Sequence, residues 1–168
     1  PFQIEIGQLA LVGDGLRLGA QGTIGADQAG WRVAMDMGVD RLAHRKLLSL
    51  WPVRLVPKTR EWLARNVLEG TLSDVRAALR IDPGKEARLS LGYDFADADV
   101  RFLPTLPPIT DGDGYATVEG QTYTMVLSKG TVTPPVGGRI DMAGTVFSVL
   151  DFTRRPAQAE VTLRTDSS

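Results

Sequence analysis

A two-residue alternation of apolar and polar side chains, repeated in short segments along most of the 168 residues, constrains the fold of this chain more than any other feature. In the clearest segment, Val75, Ala77, Leu79 and Ile81 alternate with charged or small residues. A period of two places successive side chains on opposite faces of a strand. About ten such segments are joined by short connections, so the pattern predicts a mainly β fold, an antiparallel meander with one apolar face.

Two glycine-containing stretches predict turns. Residues 82–85 (DPGK) place Pro83 and Gly84 at the second and third turn positions, where a fixed φ and a positive φ are required. Residues 111–114 (DGDG) predict a hairpin turn, because Asp-Gly pairs favour positive φ. A calcium loop is not expected there, since the stretch lacks the third acidic position and the later Glu of such loops.

One central stretch departs from the alternation and predicts two short helices, at residues 40–51 and 57–69, inserted between the strands. Asp40 suits the N-cap of the first helix. Pro57 suits the first position of the second helix, where its missing N–H is not needed, and Gly70 suits the left-handed position beyond its end. Both helices carry an apolar stripe, which is expected to cover part of the sheet.

The predicted sheet presents more apolar surface than this helical pair can cover. Two helices of about 12 residues are each about 18 Å long at 1.5 Å per residue, whereas ten strands at about 4.8 Å spacing give a sheet about 48 Å wide. The remaining surface must close into a barrel, fold over as a sandwich or line an open trough. The alternation alone does not distinguish these three outcomes.

Composition argues against several classes of function. The formal net charge is -1 and the charges are scattered, which is not the basic footprint of a nucleic-acid-binding protein. The chain has no cysteine, so thiolate ligands and thiol nucleophiles are absent. His44 is the only histidine and is expected to be solvated on the first helix, so a Ser-His-Asp arrangement is not predicted. We therefore expect no enzymatic activity, no metal and no cofactor.

The chain lacks the sequence features of membrane targeting. It contains no apolar run near the roughly 20 residues of a membrane-spanning helix, and its N-terminus has no basic region ahead of an apolar stretch. It begins and ends in strand-like sequence. We expect residues 1–168 to form one β segment, excised from the interior of a longer chain.

Several longer motifs are also present. A Trp-Pro pair at residues 51–52 is followed by REWL at residues 60–63 and by GTLSDV at residues 70–75. Residues 98–132 contain a strand, the stretch LPTLPP, a glycine turn and two further strands, and residues 144–152 read GTVFSVLDF. These motifs resemble those of the AsmA-like family of Gram-negative envelope proteins, of the YhdP type.

The resemblance implies a fold and a function. It implies a sheet curved into an open, taco-like groove, in a periplasmic protein that a segment outside this sequence anchors in the inner membrane. Such a protein shields lipid acyl chains and supports phospholipid transport between the inner and outer membranes. The implied partners are phospholipid acyl chains and adjoining segments of the same long chain. The open edges of such a sheet would also allow edge-to-edge self-association of the fragment.

On this interpretation, the inward residues of the second half of the meander are the expected lipid contacts. They are Leu79, Ile81, Leu89, Leu91, Tyr93, Phe95, Val100, Phe102, Met125 and Leu127. Shielding an acyl chain from water is worth about 0.8 kcal/mol per methylene, or about 12 kcal/mol for 16 carbons. The alternative is a closed β-rich scaffold or protein-interaction module of the cell envelope without a lipid ligand, which would bury the same side chains.

Overall fold

The computed structural model describes residues 1–13, 15–101, 105–151 and 158–162. Within them the chain forms ten strands and two helices. In chain order these are β1 (Phe2–Gly13), β2 (Leu16–Asp27), β3 (Gly30–Ala43), α1 (His44–Leu50), α2 (Pro57–Asn66), β4 (Val67–Ile81), β5 (Arg88–Val100), β6 (Ile109–Glu119), β7 (Thr122–Val132), β8 (Ile140–Asp141), β9 (Val146–Asp151) and β10 (Gln158–Thr162). The mainly β fold with an inserted helical pair is therefore confirmed.

All ten strands belong to one antiparallel sheet. Their spatial order is β1-β2-β3-β4-β5-β6-β7-β9-β10, and the short β8 pairs beside β7. Neighbours in the sheet are mostly neighbours in sequence, as the meander predicted. The sheet is open, with β1 and β10 at its two ends, and this shape agrees with a curved groove. The scaffold alternative predicted a closed sheet, and that prediction is wrong.

The apolar core lies on one face of the middle of the sheet. Residues of β5 at alternate positions point into it, and α2 contributes Leu63, which is 0% exposed. The buried core residues of the central and later strands include Leu89, Leu91, Tyr93, Phe95, Val118, Tyr123, Met125, Leu127, Phe147 and Val149. Burying this apolar surface is the main favourable term in folding, at about 25 cal/mol per Å².

The first helix is shorter than the predicted 40–51. β3 continues through Ala43, which pairs with Thr71 of β4, so α1 begins only at His44. Asp40 lies within β3 and does not cap the helix. A helix of two turns gains few internal hydrogen bonds, so the longer strand ladder prevails over the local helix signal.

The second helix begins at Pro57, as predicted, but ends at Asn66 and not at residue 69. β4 begins at the next residue, so Gly70 lies inside a strand and does not follow the helix. Gly70 has a φ of 151°, and a Cβ there would lie 3.2 Å from the Cβ of Ala98. The glycine allows β4 and β5 to approach closely, which is a different use from the predicted helix end.

The turn predicted at residues 82–85 is confirmed. The Lys85 N–H donates to the Asp82 carbonyl oxygen (3.1 Å), and Gly84 has a φ of 70°. This turn joins β4 to β5 and sets their register.

The prediction of a hairpin turn at residues 111–114 is wrong, because the stretch lies within β6. Asp111 has a φ of 52°, and the register between β6 and β7 shifts between Thr110 and Asp113. The stretch is a β-bulge, and the Asp97 N–H of β5 donates to Asp113 Oδ1 (3.1 Å). Short polar residues and glycine tolerate positive φ equally in a turn and in a bulge, so the local signal is the same for both.

Candidate functional site

Cross-strand register determines which side chains share the apolar face, because directly opposed residues in an antiparallel pair point to the same side. One row across the sheet consists of Leu9, Ala20, Met37, Ala77, Leu91, Val118, Tyr123 and Val149. A second row consists of Ile4, Ile24, Val33 and Ile81. Neither row contains a charged side chain, so an apolar surface runs across the sheet from β1.

An apolar crevice of about 270 Å³ opens between this face and the helical pair. Strands β2 to β5 contribute Leu18, Val39, Val75, Leu79, Leu89 and Leu91, among others. The wall consists of Leu47, Leu50, Trp51 and Leu55, from α1 and the connection to α2. The lining contains no charged side chain, so the crevice suits hydrocarbon and not a polar ligand.

Arg60 of α2 attaches this wall to the rest of the molecule. Its Nε and Nη2 donate to the carbonyl oxygens of Trp51 (3.2 Å) and Leu48 (3.0 Å), at the end of α1. Carbonyl groups in the last turn of a helix lack intrahelical partners and carry partial negative charge, which suits a guanidinium group. The indole N–H of Trp51 donates to the Leu55 carbonyl (2.6 Å). We call the two Arg60 hydrogen bonds the clamp.

Beyond the crevice, part of the apolar face remains uncovered. Phe2, Ile4, Leu9, Leu11 and Trp31 are between 43% and 58% exposed. The rings of Phe2 and Trp31 pack edge to face with centroids 5.7 Å apart, as expected for residues on the same side of the sheet. We call these five residues the open face. A contiguous exposed apolar surface of this kind is typical of an interaction site.

The predicted lipid contacts fall into three groups. Leu79, Leu89 and Leu91 line the crevice, although Leu89 and Leu91 are only 5% and 3% exposed and also belong to the buried core. Ile81 lies in the row that continues to Ile4 on the open face. Tyr93, Phe95, Val100, Met125 and Leu127 are buried in the core. Phe102 lies outside the described residues.

The buried group is covered by the chain itself. Trp62 of α2 packs on Tyr123 with ring centroids 4.8 Å apart, and Leu63 is fully buried in the same cluster. The space left beside Tyr93 and Met125 is about 10 Å³, enough for about one water molecule. These side chains therefore form a packed core in this structure, and the accessible apolar surface lies at the crevice and the open face.

His44 is buried, so the prediction that it is solvated is wrong. Because α1 begins at this residue, the imidazole is enclosed near the Leu63 carbonyl of α2 and is 2% exposed. Among the described residues, neither ring nitrogen has a hydrogen-bond partner, and neither does the buried hydroxyl of Thr59. Desolvation lowers the pKa of His44; the Leu63 carbonyl opposes this shift and Arg45 adds to it. His44 is therefore neutral at pH 7.

Tyr93 and Tyr123 place two hydroxyl groups in the core. Their oxygen atoms are 3.4 Å apart, so the two groups share a weak hydrogen bond. Burial raises the pKa of Tyr93 to about 12 and also raises the pKa of Tyr123. Both hydroxyls stay protonated at physiological pH, so the pair satisfies buried polar groups and offers no catalytic base.

A wider hollow of about 540 Å³ lies on the opposite, polar face of the sheet. Gly19, Gly38 and Gly92 form part of its floor. Two hydrogen bonds lie beside it, from Arg80 to Asp36 (2.7 Å) and from Ser90 to Glu119 (2.5 Å). This hollow is larger than the crevice but shallow, and charged side chains line it, so the candidate site is the apolar crevice with the open face beside it.

The sequence interpretation missed the half of the site that lies before residue 79. Phe2, Ile4 and Trp31 alternate with polar residues as regularly as the later strands do. The apolar spacing of Leu47 and Trp51 was visible as well, but it predicted only that the helix packs on the sheet. The alternation that marks these residues was therefore visible in the sequence. The tertiary structure decides which of the alternating segments stay uncovered.

No helix among the described residues is long and apolar enough to cross a membrane. The same part of the chain contains no group of three or more histidine, aspartate or glutamate side chains able to hold a metal ion. Fold and site together define an open antiparallel sheet with an apolar crevice beside an uncovered apolar face. No protein-family model matches the chain, and comparisons with curated proteins and with solved structures gave no match.

Proposed function

We propose that this chain is a segment of a bridge-like periplasmic protein that shields lipid acyl chains in an apolar β-groove and supports phospholipid transport between the inner and outer membranes. In this proposal a segment outside the sequence anchors the protein in the inner membrane, and adjoining segments of the same chain extend the groove. The chain acts by binding, without catalysis. The family and the compartment in this proposal rest on the resemblance of the sequence motifs to AsmA-like proteins, and the geometry gives the support described below.

The observation that carries the proposal is the continuity of the crevice with the open face. The row that begins at Leu9 on the open face passes through Ala20, Met37 and Ala77 before it reaches Leu91 in the crevice. Each step crosses one strand, at about 4.8 Å per strand. An acyl chain lying along this row would run across the strands and lose contact with water at about 0.8 kcal/mol per methylene.

Because the lining of the crevice contains no charged side chain, the proposal puts the lipid headgroup outside the crevice. Burying a phosphate or ammonium group without partners is far more costly than burying hydrocarbon. The polar residues of this region lie on the opposite face, as Asp36 and Arg80 do. The headgroup would therefore stay in water at the margin of the sheet while the acyl chain lies on the apolar face.

The three tryptophans allow a direct test. Trp31 lies on the open face and Trp51 in the crevice wall, whereas Trp62 is partly buried, packs on Tyr123 and does not line the crevice. Three variants would each keep one tryptophan, with the other two replaced by phenylalanine. A phospholipid brominated on its acyl chains quenches tryptophan fluorescence by contact. We expect quenching of Trp31 and Trp51 and little quenching of Trp62.

A matched pair of substitutions on β1 controls for non-specific adsorption. Ile4→Glu places a charge on the open face, whereas Gln3→Glu places the same charge on the other side of the same strand. We expect Ile4→Glu to reduce quenching of Trp31 and Gln3→Glu to leave it unchanged. Equal quenching of all three tryptophans, or none at all, would contradict the proposal, and none would favour a protein-interaction module without lipid.

A further inference from the structure

A cavity of about 380 Å³ lies where the first turn of α2 meets two connections of the sheet. Its lining consists of residues 54 and 56–59, before and at the start of α2, residues 86–88, at the start of β5, and residues 120–121, between β6 and β7. We call it the α2 cavity. Unlike the crevice, the α2 cavity has charged side chains in its lining, so it suits a polar ligand.

The α2 cavity adjoins the apolar crevice at two points of the chain. Arg54 and Val56 line the α2 cavity, whereas Leu55 between them lines the crevice. On β5, Arg88 lines the α2 cavity and Leu89 lines the crevice. Consecutive Cα atoms are about 3.8 Å apart, so the two spaces are close enough for one elongated amphipathic molecule to occupy both.

The first turn of α2 presents backbone donors that have no acceptor. The N-cap residue is Val56, whose hydrocarbon side chain cannot accept a hydrogen bond. Pro57 has no N–H, and the N–H groups of Lys58 and Thr59 have no hydrogen-bond partner among the described residues. The helix dipole adds partial positive charge at this end, so the first turn of α2 attracts an anion.

The Thr59 side chain is a second and independent indication of a ligand. Thr59 lies in the lining of the α2 cavity and is 1% exposed, and its hydroxyl has no partner within the described part of the chain. A helical threonine often donates to the carbonyl four residues earlier, but here that carbonyl, of Leu55, accepts the Trp51 indole N–H (2.6 Å). A buried hydroxyl without a partner is costly, and a ligand oxygen in the cavity would supply the missing acceptor.

The charged side chains of the α2 cavity also favour an anion. Arg54 and Lys58 are exposed and make no ion pair with a described residue. Arg88 pairs with Asp82 (3.3 Å) and therefore contributes less charge to the cavity. Glu86 is the one carboxylate among the described lining residues. Two unpaired cations and a helix N-terminus thus outweigh a single carboxylate.

We propose that the α2 cavity is a binding site for a phosphate group, held by the N–H groups of Lys58 and Thr59, the Thr59 hydroxyl and the Arg54 and Lys58 side chains. A phosphate has more acceptor oxygens than a carboxylate and can use more of these donors at once. In a phospholipid, the phosphate lies in this cavity, at the margin of the sheet, while an acyl chain enters the crevice. That extension rests on the proposed function, whereas inorganic phosphate offers the same chemistry without an acyl chain.

Titration of the unmodified chain with inorganic phosphate tests the site itself. In amide NMR spectra, we expect saturable shifts of the Lys58 and Thr59 signals at millimolar phosphate, and smaller shifts with acetate at the same ionic strength. Lys58→Gln should weaken phosphate binding about threefold, and Glu86→Gln should strengthen it about threefold because it removes the carboxylate. Lys46→Gln is the matched control and should leave phosphate binding unchanged, since Lys46 is exposed on α1 and does not line the cavity.

Thr59→Val distinguishes a ligand-binding hydroxyl from a structural one. The substitution removes the hydroxyl with little change in shape. Because that hydroxyl has no partner to lose, the free chain should unfold at the same or a higher urea concentration. Phosphate binding should weaken about tenfold, because a hydrogen bond to a charged oxygen is lost. An unchanged dissociation constant for phosphate in Thr59→Val, or no saturable shift of the Lys58 and Thr59 amides, would overturn the proposal.

Two short-chain lipids that differ only in the phosphate distinguish a lipid headgroup from free phosphate. We expect dihexanoylphosphatidic acid to shift the amide signals of both Thr59 and Trp51, and Lys58→Gln to weaken binding of this lipid but not of dihexanoylglycerol. If both lipids shift Trp51 equally and neither shifts Thr59, the headgroup site is wrong while the acyl-chain groove stands. If inorganic phosphate shifts Thr59 but neither lipid shifts Trp51, the phosphate site is supported and the proposed lipid groove is contradicted.

Discussion

Replacing Arg60 by methionine should loosen the wall of the crevice without leaving a cavity in the core. The substitution keeps an unbranched apolar side chain but removes the clamp, whose two hydrogen bonds join α2 to the Trp51 and Leu48 carbonyls at 3.2 and 3.0 Å. A hydrogen bond from a charged donor contributes about 1.5–3 kcal/mol when its partner is buried. Arg60 is half-buried and water can reach the freed carbonyls, so we expect a loss of about 2 kcal/mol in total.

Thermal and urea unfolding would measure this loss. For a chain of this length, about 2 kcal/mol corresponds to a fall in Tm of about 4–8 °C. Arg54→Met is the matched control, because Arg54 is exposed on the connection between the helices and makes no hydrogen bond or ion pair with a described residue. We expect Arg54→Met to change the free energy of unfolding by less than about 0.5 kcal/mol.

Hydrogen exchange would show where the loss occurs. The Trp51 N–H donates to Leu47 and the Leu55 N–H donates to Pro52, both at the end of the wall that the clamp holds. In Arg60→Met these two amides should exchange faster, while amides in β6 and β7 should be unchanged until global unfolding. A variant with wild-type stability and unchanged exchange at Trp51 and Leu55 would refute the idea that the clamp positions the wall.

Three further predictions concern stability. The folded pKa of His44 is lowered, so the unfolded state binds more protons; stability is full above about pH 7 and falls as pH decreases through the unfolded value near 6.5. His44→Phe should flatten the difference in unfolding free energy between pH 7 and pH 5, and an unchanged difference would contradict this. Leu63→Ala should cost about 2–5 kcal/mol in urea unfolding because the side chain is fully buried, whereas Leu106→Ala, at 55% exposure, should cost little. Gly114→Ala should cost about 1–3 kcal/mol, since a Cβ there meets the Val126 carbonyl oxygen; a melting temperature equal to wild type would exclude the contact.

Features that depend on a few neighbouring residues could be predicted from the sequence. A strand directs alternate side chains to opposite faces, so the alternation in Phe2–Gly13 and Val67–Ile81 identifies strands wherever they lie in the sheet. Proline fixes its own φ, so Pro57 marks a helix start whatever its surroundings. The turn at residues 82–85 follows from the same local rules.

Features that depend on pairing between distant segments could not be predicted in this way. The DGDG stretch permits positive φ, but only the register of β6 against its neighbours makes it a bulge and not a turn. The start of α1 was predicted four residues too early, because the pairing of Ala43 with Thr71 extends β3 to Ala43. His44 was expected in water because Arg45 and Lys46 follow it directly, whereas packing at the start of α1 buries it.

The sequence by itself determined that this chain is an antiparallel β protein with one apolar face and a helical pair in its middle. The alternation of a strand and the residues that begin a helix are both properties of short stretches of sequence. Only the tertiary structure decided which part of that face is covered. The same alternation occurs at Leu91, Tyr93 and Ile4, yet they lie in the crevice, the core and the open face respectively. Their different burial depends on where the helical pair packs on the sheet. Contacts between residues far apart in the chain determine that position.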